Sequence, residues 1–510
     1  MRRHVLFLGG ILVVSLFCLK ALFPSGLFTA HDIWHQVARL YWYNESVLQG
    51  VFPPHWIAPM ANGFGYPLFV FSYHFPWMVG LPFLFLGVSI ESTIKILFFI
   101  SFLFSGWGMY WCSYLFTKSR FASVTSAILY VVAPWRFVTI FVSAAMGRAF
   151  VFMVLPVIVV SLYYLSKNKK VLLPLVLFSL TMSALILSHL ISIITSVVVV
   201  IPFAWYLKTS LKKLIVSGGI TVGLTWWYLY PVFVLSKSIQ ASTGQFKTLY
   251  LSQFVNFKQL LYSPWGYGIV EQSAKEGPFS YQLGIAQWIV MIASFLFIIK
   301  IFRLKAKDRN LILFLFLAFV LSIFLMLDGS IPIWKLASRF ASFDYPTMFL
   351  MPALFISSFL AAVLLVECKK ARFVVGFFLV LVAFINNRNY MRVNQYLHPN
   401  VEDVVAAEIT TNTFNEYLPL TADTQGMIKN TTPDIDGEGL LQLHVARTST
   451  QLVASFEKRV TGEVTLKVFG FSGLKVLLDG TIYHYKINNA GLVTVVVEPG
   501  YHKIIVFYEQ

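Results

Sequence analysis

Residues 94–116 read IKILFFISFLFSGWGMYWCSYLF, Lys118 and Arg120 follow directly, and residues 121–142 read FASVTSAILYVVAPWRFVTIFV. Each apolar run matches the roughly 20 residues that a helix needs to cross a hydrocarbon core about 30 Å thick. A backbone in lipid must satisfy its own hydrogen bonds, so such runs are helices. The two cations between them mark a short cytoplasmic loop.

The same alternation runs in both directions along the chain. Apolar stretches at 5–23, 94–116, 121–142, 149–165, 171–188, 190–207, 214–235, 284–300, 310–328, 347–366 and 372–388 predict about eleven spans. With Arg2 and Arg3 inside, the basic groups Lys118/Arg120, Lys167/Lys169/Lys170, Lys208/Lys212/Lys213, Lys300 to Arg309 and Lys369/Lys370/Arg372 also fall inside. That parity requires the stretch Tyr66 to Ile90, broken by Pro67, Pro76 and Pro82, to re-enter or lie in the interface. It also requires Leu172 to Leu207 to split near Ser188-His189 at the outer face; a single tilted helix there would invert everything downstream. The run Val5 to Phe23 has a charged start like a signal peptide, but it is long and no small-residue cleavage site follows, so it reads as an uncleaved first span.

Composition agrees. A chain that is 58% hydrophobic and 12% charged cannot hide that much apolar surface in a water-facing globule, so lipid is its main solvent. The net charge of +17 lies mostly in short loops, which argues against a nucleic-acid partner. Cys18, Cys112 and Cys368 sit in or beside apolar runs without metal-ligand or disulfide spacing.

Two long loops, 24–93 and 236–283, fall outside by the same parity, and loops of this length in a tightly wound membrane protein are usually functional or mobile. After the last span the composition changes. Residues 389–510 show alternating runs at Val464 to Val468, Val493 to Val497 and Ile504 to Phe507, with turns at Asp479-Gly480 and Pro499-Gly500. The expected domains are therefore a membrane domain, 1–388, and an extracytoplasmic β-sandwich, 389–510, entered through a short helix near Val401 to Ile409.

The first outer loop opens with Thr29-Ala30-His31-Asp32-Ile33-Trp34-His35-Gln36. Asp32 precedes an amphipathic repeat, Ile33, Val37 and Leu40, where it would cap a helix. His31 and His35 stand one turn apart, a spacing open to metal ligation or to no function at all. No cofactor is implied, and a divalent metal is left open, because one outer-loop carboxylate makes no case for it.

A single acid directly after the first span resembles the arrangement in the GT-C membrane glycosyltransferases. Further stretches resemble one bacterial branch, the YfhO-type proteins and the membrane proteins labelled "6-pyruvoyl-tetrahydropterin synthase-related". They are His31-Asp32-Ile33-Trp34-His35, Gly50-Val51-Phe52-Pro53 to Pro59, Asn62-Gly63-Phe64-Gly65-Tyr66-Pro67, and Phe69 to Pro76. Then come Ala133-Pro134-Trp135-Arg136, Ser188-His189, Ser263-Pro264-Trp265-Gly266-Tyr267-Gly268, Ser280-Tyr281-Gln282-Leu283-Gly284 and Glu416-Tyr417-Leu418-Pro419. They appear in the expected order over most of the chain. The pterin label carries no activity, since no zinc-binding histidine cluster is present in the sequence.

The chain departs from the branch twice. Ser143-Ala144-Ala145-Met146-Gly147-Arg148 stands where an Arg-Gly-Ala stretch followed by a glutamate is expected, and Arg339 to Pro346 stands where an aromatic-Pro-Trp-Arg pattern is expected. Either Asp344 compensates or the activity has drifted.

The resemblance implies a polyprenyl-phosphate sugar donor, a membrane lipid, and an extracytoplasmic acceptor that is a glycan, a glycolipid or a protein. Asp32 would be the catalytic base, taking the proton of the acceptor hydroxyl. Arg136, Arg148 and Arg339, near outer helix ends, would hold the lipid phosphate, unless they only reach headgroups. His189 would contact phosphate or close its turn, Trp265 and Tyr267 would stack on sugar or belong to an interfacial belt, and His31, His35 and Asp344 complete the candidate substrate-binding set. The rival functions are a lipid or polysaccharide transporter, which needs polar groups deep in several spans, and an inactive envelope-assembly scaffold. The sequons Asn44-Glu45-Ser46 and Asn430-Thr431-Thr432 lie on the expected outer side.

Overall fold

The computed structural model describes all residues except 1, 169–171, 244–247, 268–273, 276, 304–308, 340–344, 413 and 510, and the side chains of 2–3 and 300–303 are likewise left aside. Lys169, Lys170, Gly268, Asp344 and part of the Lys300 to Arg309 loop therefore lie outside the described residues.

The chain is a multi-pass helical membrane protein. Among the described residues, five helices are long and apolar enough to cross a bilayer: Ile90–Thr117, Met146–Lys167, Leu211–Ser238, Pro346–Glu367 and Lys369–Tyr390. Two bent pairs raise the count to seven if each is one span. Other apolar helices, among them Leu172–Ser188 with 17 residues and Ser192–Tyr206 with 15, are shorter. Two features bear on the expected topology. The helix of the fifth run stops at Ser188 and the next starts at Ser192. Between Tyr66 and Ile90 the longest helix, Phe75–Phe85, is about 16 Å long at 1.5 Å per residue, well short of a crossing.

The run 121–142, expected as one span, is a pair of helices, Arg120–Val131 and Pro134–Val142, bent by 53° at the break between them. Pro134 offers no N–H and drives Ala133 into an extended conformation, φ −69° and ψ 143°, which ends Arg120–Val131. Carbonyls near the break find side chains instead: Asn387 Nδ2 donates to Val132 O at 2.7 Å and Gln287 Nε2 to Leu129 O at 2.9 Å.

The chain divides into two compact units. One comprises Met1–Ile33, Glu91–Trp226 and Gln245–His398; the other comprises Trp34–Ile90, Trp227–Gly244 and Pro399–Gln510. This differs from the boundary expected at 388/389. The reason is burial: Trp56, Ala58, Val70, Leu235 and Ile239 share one apolar core with the C-terminal strands.

Those strands form two sheets. The four-stranded one runs Ile435–Asp436, Gly462–Phe469, Leu492–Val497, Lys486–Ile487; the five-stranded one runs Leu440–Arg447, Gln451–Lys458, Gly500–Tyr508, Leu474–Leu478, Thr481–Tyr483. All pairings between neighbouring strands in both are antiparallel. Alternate residues Leu452, Ala454 and Phe456 are buried, the period-two pattern of a strand with one face on a core. At Asp479-Gly480 both residues have positive φ, 51° and 84°, as a tight hairpin of the primed type requires.

Candidate active site

Within the first unit, five of the ten candidates, Asp32, His31, Arg148, His189 and Tyr267, are linked through the segment that follows the first helix. Leu27 and Phe28 pair antiparallel with Leu397 and Tyr396, and the Thr29 N–H donates to Gln395 O at 2.9 Å. The chain then pairs with a different partner. His31 N–H donates to Val142 O at 2.9 Å, Asp32 N–H donates to Ser143 O at 3.0 Å, and the helix begins at Ile33. Two backbone bonds thus hold Asp32 beside the 142–143 segment. Its carboxylate is half-buried and, among the described residues, makes no hydrogen bond or ion pair.

After Ser143 the backbone turns sharply: Ala144 has φ 51°, and the Ala145 N–H donates to Thr139 O at 2.9 Å. Helix Met146–Lys167 starts there, placing Arg148 in its first turn, where the backbone N–H groups already carry positive partial charge. The Arg148 guanidinium lies 5.3 Å from the centroid of the Tyr345 ring. Its charge is felt at His189, whose imidazole is pushed down to about 3 by burial first and by Arg148 second. His189 Nδ1 lies 2.9 Å from Ser192 Oγ, so the neutral ring is tied to its own turn. Tyr281 feels the same cation, and burial pushes its phenol upward.

An aromatic wall continues from His31. Its ring meets Tyr267 edge-on at 5.2 Å and Phe279 at 5.7 Å; Phe279 meets Trp135 at 5.9 Å and Tyr281 at 5.1 Å. Tyr267 is hydrogen-bonded to Thr29, and its phenol is raised by burial. A carboxylate able to accept a proton, a cation at a helix start and stacked rings together offer groups for a hydroxyl, a phosphate and a sugar face.

The four other described candidates have surroundings of their own. Arg136 is fully buried, its guanidinium bonded to Ala149 O at 3.3 Å and Ser101 Oγ at 3.1 Å and flanked by Phe102 and Phe152, so it braces the bundle instead of reaching a headgroup. Arg339 is exposed. Trp265 takes the Arg392 guanidinium at 4.7 Å over its ring. His35 belongs to the second unit, where its Nδ1 lies 2.8 Å from Glu408 Oε2. Asp344 is outside the described residues.

Ser143, Phe279 and Tyr345 were not singled out from the sequence. Ser143 opens the quoted stretch Ser143 to Arg148, Tyr345 lies inside Arg339 to Pro346 and Phe279 directly precedes Ser280-Tyr281, so all three were within reach; nothing local marks Ser143 as the partner of Asp32. Among the described residues, no three His, Cys, Asp or Glu side chains cluster as metal ligands would.

No protein-family model matches the chain, and neither does any curated protein. Among solved structures it is similar to ArnT from Cupriavidus metallidurans in the apo state, with TM-score 0.38 and 16% identity over 71% of this chain and 59% of that one. ArnT bound to undecaprenyl phosphate gives 0.43 and 13% over 84% and 75%. The oligosaccharyltransferase of Archaeoglobus fulgidus, in complex with Zn and sulfate, gives 0.44 and 12% over 80% and 58%. The chain thus spans 59% of ArnT in its apo structure and 58% of the oligosaccharyltransferase, less than two thirds of each.

Proposed function

We propose that this protein is a membrane glycosyltransferase of the GT-C type, of the YfhO-like branch, moving a sugar from a polyprenyl-phosphate donor to an acceptor outside the cytoplasmic membrane. The observation that carries the reading is the position of Asp32: pinned by its backbone to Ser143, five residues before Arg148, with its carboxylate unengaged among the described residues. In the reaction the acceptor hydroxyl gives its proton to the Asp32 carboxylate as its oxygen bonds to the anomeric carbon. The bond from that carbon to the phosphate oxygen breaks, and polyprenyl phosphate leaves with the electron pair. Arg148 and the N–H groups at its helix start hold the developing phosphate charge. His31, Tyr267 and Phe279 form the wall against which a sugar ring packs.

The positive-inside parity supports eleven spans, with the long loops and a C-terminal β-sandwich on the outer face. The acceptor is a cell-wall polymer, a glycolipid or a protein. The test is turnover in proteoliposomes holding labelled polyprenyl-phosphate sugars and an extract of envelope acceptors. Release of polyprenyl phosphate that depends on acceptor supports the reading. Donor that binds and is never consumed by any acceptor would sink it in favour of a transporter or a scaffold.

A further inference from the structure

The second unit holds a cavity of about 400 Å³ that the proposed chemistry leaves unused. Its wall is built from Gln49 to Trp56, from the turn at Thr448 to Gln451, and from the end of strand Gly500–Tyr508. The volume is in the range of small-molecule sites, roughly 300–1,000 Å³.

The lining has a definite chemistry. The His55 imidazole stacks on the Tyr508 ring at 5.4 Å with an 18° angle between planes, and Trp56 adds a third ring to the same wall. Burial keeps the His55 imidazole below its ordinary value and therefore neutral at physiological pH. The polar lining is amide and hydroxyl: Thr450 Oγ1 donates to Gln49 Oε1 at 3.0 Å, which leaves the Gln49 Nε2 hydrogens without a partner among the described residues. The Gln451 side-chain amide makes no hydrogen bond among the described residues either. Among the described residues, no Lys, Arg, Asp or Glu is part of the lining.

Each feature narrows the occupant. A phosphate or carboxylate would lose its hydration and meet no counter-charge. An acyl chain would cover two glutamine amides without pairing them, at the cost of their desolvation. A sugar ring offers what the wall asks for: an apolar C–H face for flat rings, and hydroxyls that both give to and accept from amides.

We propose that this cavity is a binding subsite for a short, neutral saccharide, held against His55, Tyr508 and Trp56 and oriented by Gln49 and Gln451. It would take the non-reacting end of a glycan acceptor; that role, though not the binding, rests on the transferase reading.

Saturation-transfer NMR on the full-length, detergent-solubilised protein tests it, using cellobiose, maltotriose, mannobiose and diacetylchitobiose as probes. At least one should saturate at millimolar concentration. Gln49→Ala and Gln451→Ala, which leave the strand cores in place, should each weaken it on the order of tenfold with no shift in Tm, while Asp32→Asn should leave it unchanged. Absence of saturation by every probe, or affinity equal in both glutamine variants and the parent, overturns the subsite even if turnover is intact. Saturation that the variants lose, in a protein that never turns over donor, keeps the subsite and removes only its acceptor role.

Discussion

Gly65 lies in the loop Asn62-Gly63-Phe64-Gly65-Tyr66-Pro67, and the structure shows what replacing it with alanine would do. Its φ is +81°, a left-handed conformation that costs an L-residue about 1–2 kcal/mol. A Cβ there would lie 2.2 Å from Trp56 Cζ2, so the indole of a fully packed residue would have to move; overpacking of this kind costs about 1–3 kcal/mol. Gly65→Ala should therefore destabilise the second unit by about 2–5 kcal/mol. Gly480 supplies the control, with φ +84° and nothing within 4 Å of its would-be Cβ, so Gly480→Ala should carry the backbone cost alone. Denaturant titration followed by tryptophan fluorescence, with Trp56 next to the change, compares the two variants directly. Equal losses in both would refute the steric argument, and a loss under about 0.5 kcal/mol at Gly65 would refute the backbone argument as well.

Three further outcomes are expected. His74 is fully buried, its Nε2–H donates to Phe69 O at 2.8 Å, and burial pushes its imidazole down to about 3 from 6.5. Between those values the unfolded chain takes up a proton that the folded one refuses, so stability falls as pH drops from about 6.5 toward about 3, and His74→Gln should flatten that slope in denaturant titrations; equal slopes would contradict it. A double-mutant cycle on His35→Gln and Glu408→Gln should return a coupling of about 1 kcal/mol in unfolding experiments. Zero coupling together with a raised KM for donor would restore His35 as a substrate contact. Arg148→Gln should lower kcat/KM for the lipid donor by roughly 10- to 100-fold, and Arg148→Lys should recover part of it; kinetics unchanged in both would remove Arg148 from phosphate binding.

The membrane class was legible because hydropathy over twenty residues is a first-order signal, indifferent to packing. The strands at Val464 to Val468, Val493 to Val497 and Ile504 to Phe507, and the Asp479-Gly480 turn between two others, were legible because alternation and turn chemistry are local. The grouping of Trp34–Ile90 with the C-terminal strands was not, because nothing in the loop's own pattern says which distant core Trp56 and Val70 enter. The bend at Pro134 could have been anticipated from the proline; hydropathy alone runs straight through it. Arg136 was expected near an outer helix end, and only the structure reveals the Ser101 hydroxyl, the Ala149 carbonyl and the two phenyl rings that make its burial tolerable. Asp32 stood out by its place after the first span, whereas the Ser143 carbonyl that fixes it pairs residues more than a hundred positions apart.

Single-turnover transfer from a radiolabelled polyprenyl-phosphate sugar, Asp32→Asn against the parent in the same proteoliposomes with donor binding measured in parallel, bears most directly on the proposed chemistry. The amide is nearly isosteric and cannot take a proton at neutral pH, so the account predicts a rate lower by roughly 10²–10⁴-fold with donor affinity preserved. A variant that transfers sugar as fast as the parent would contradict it.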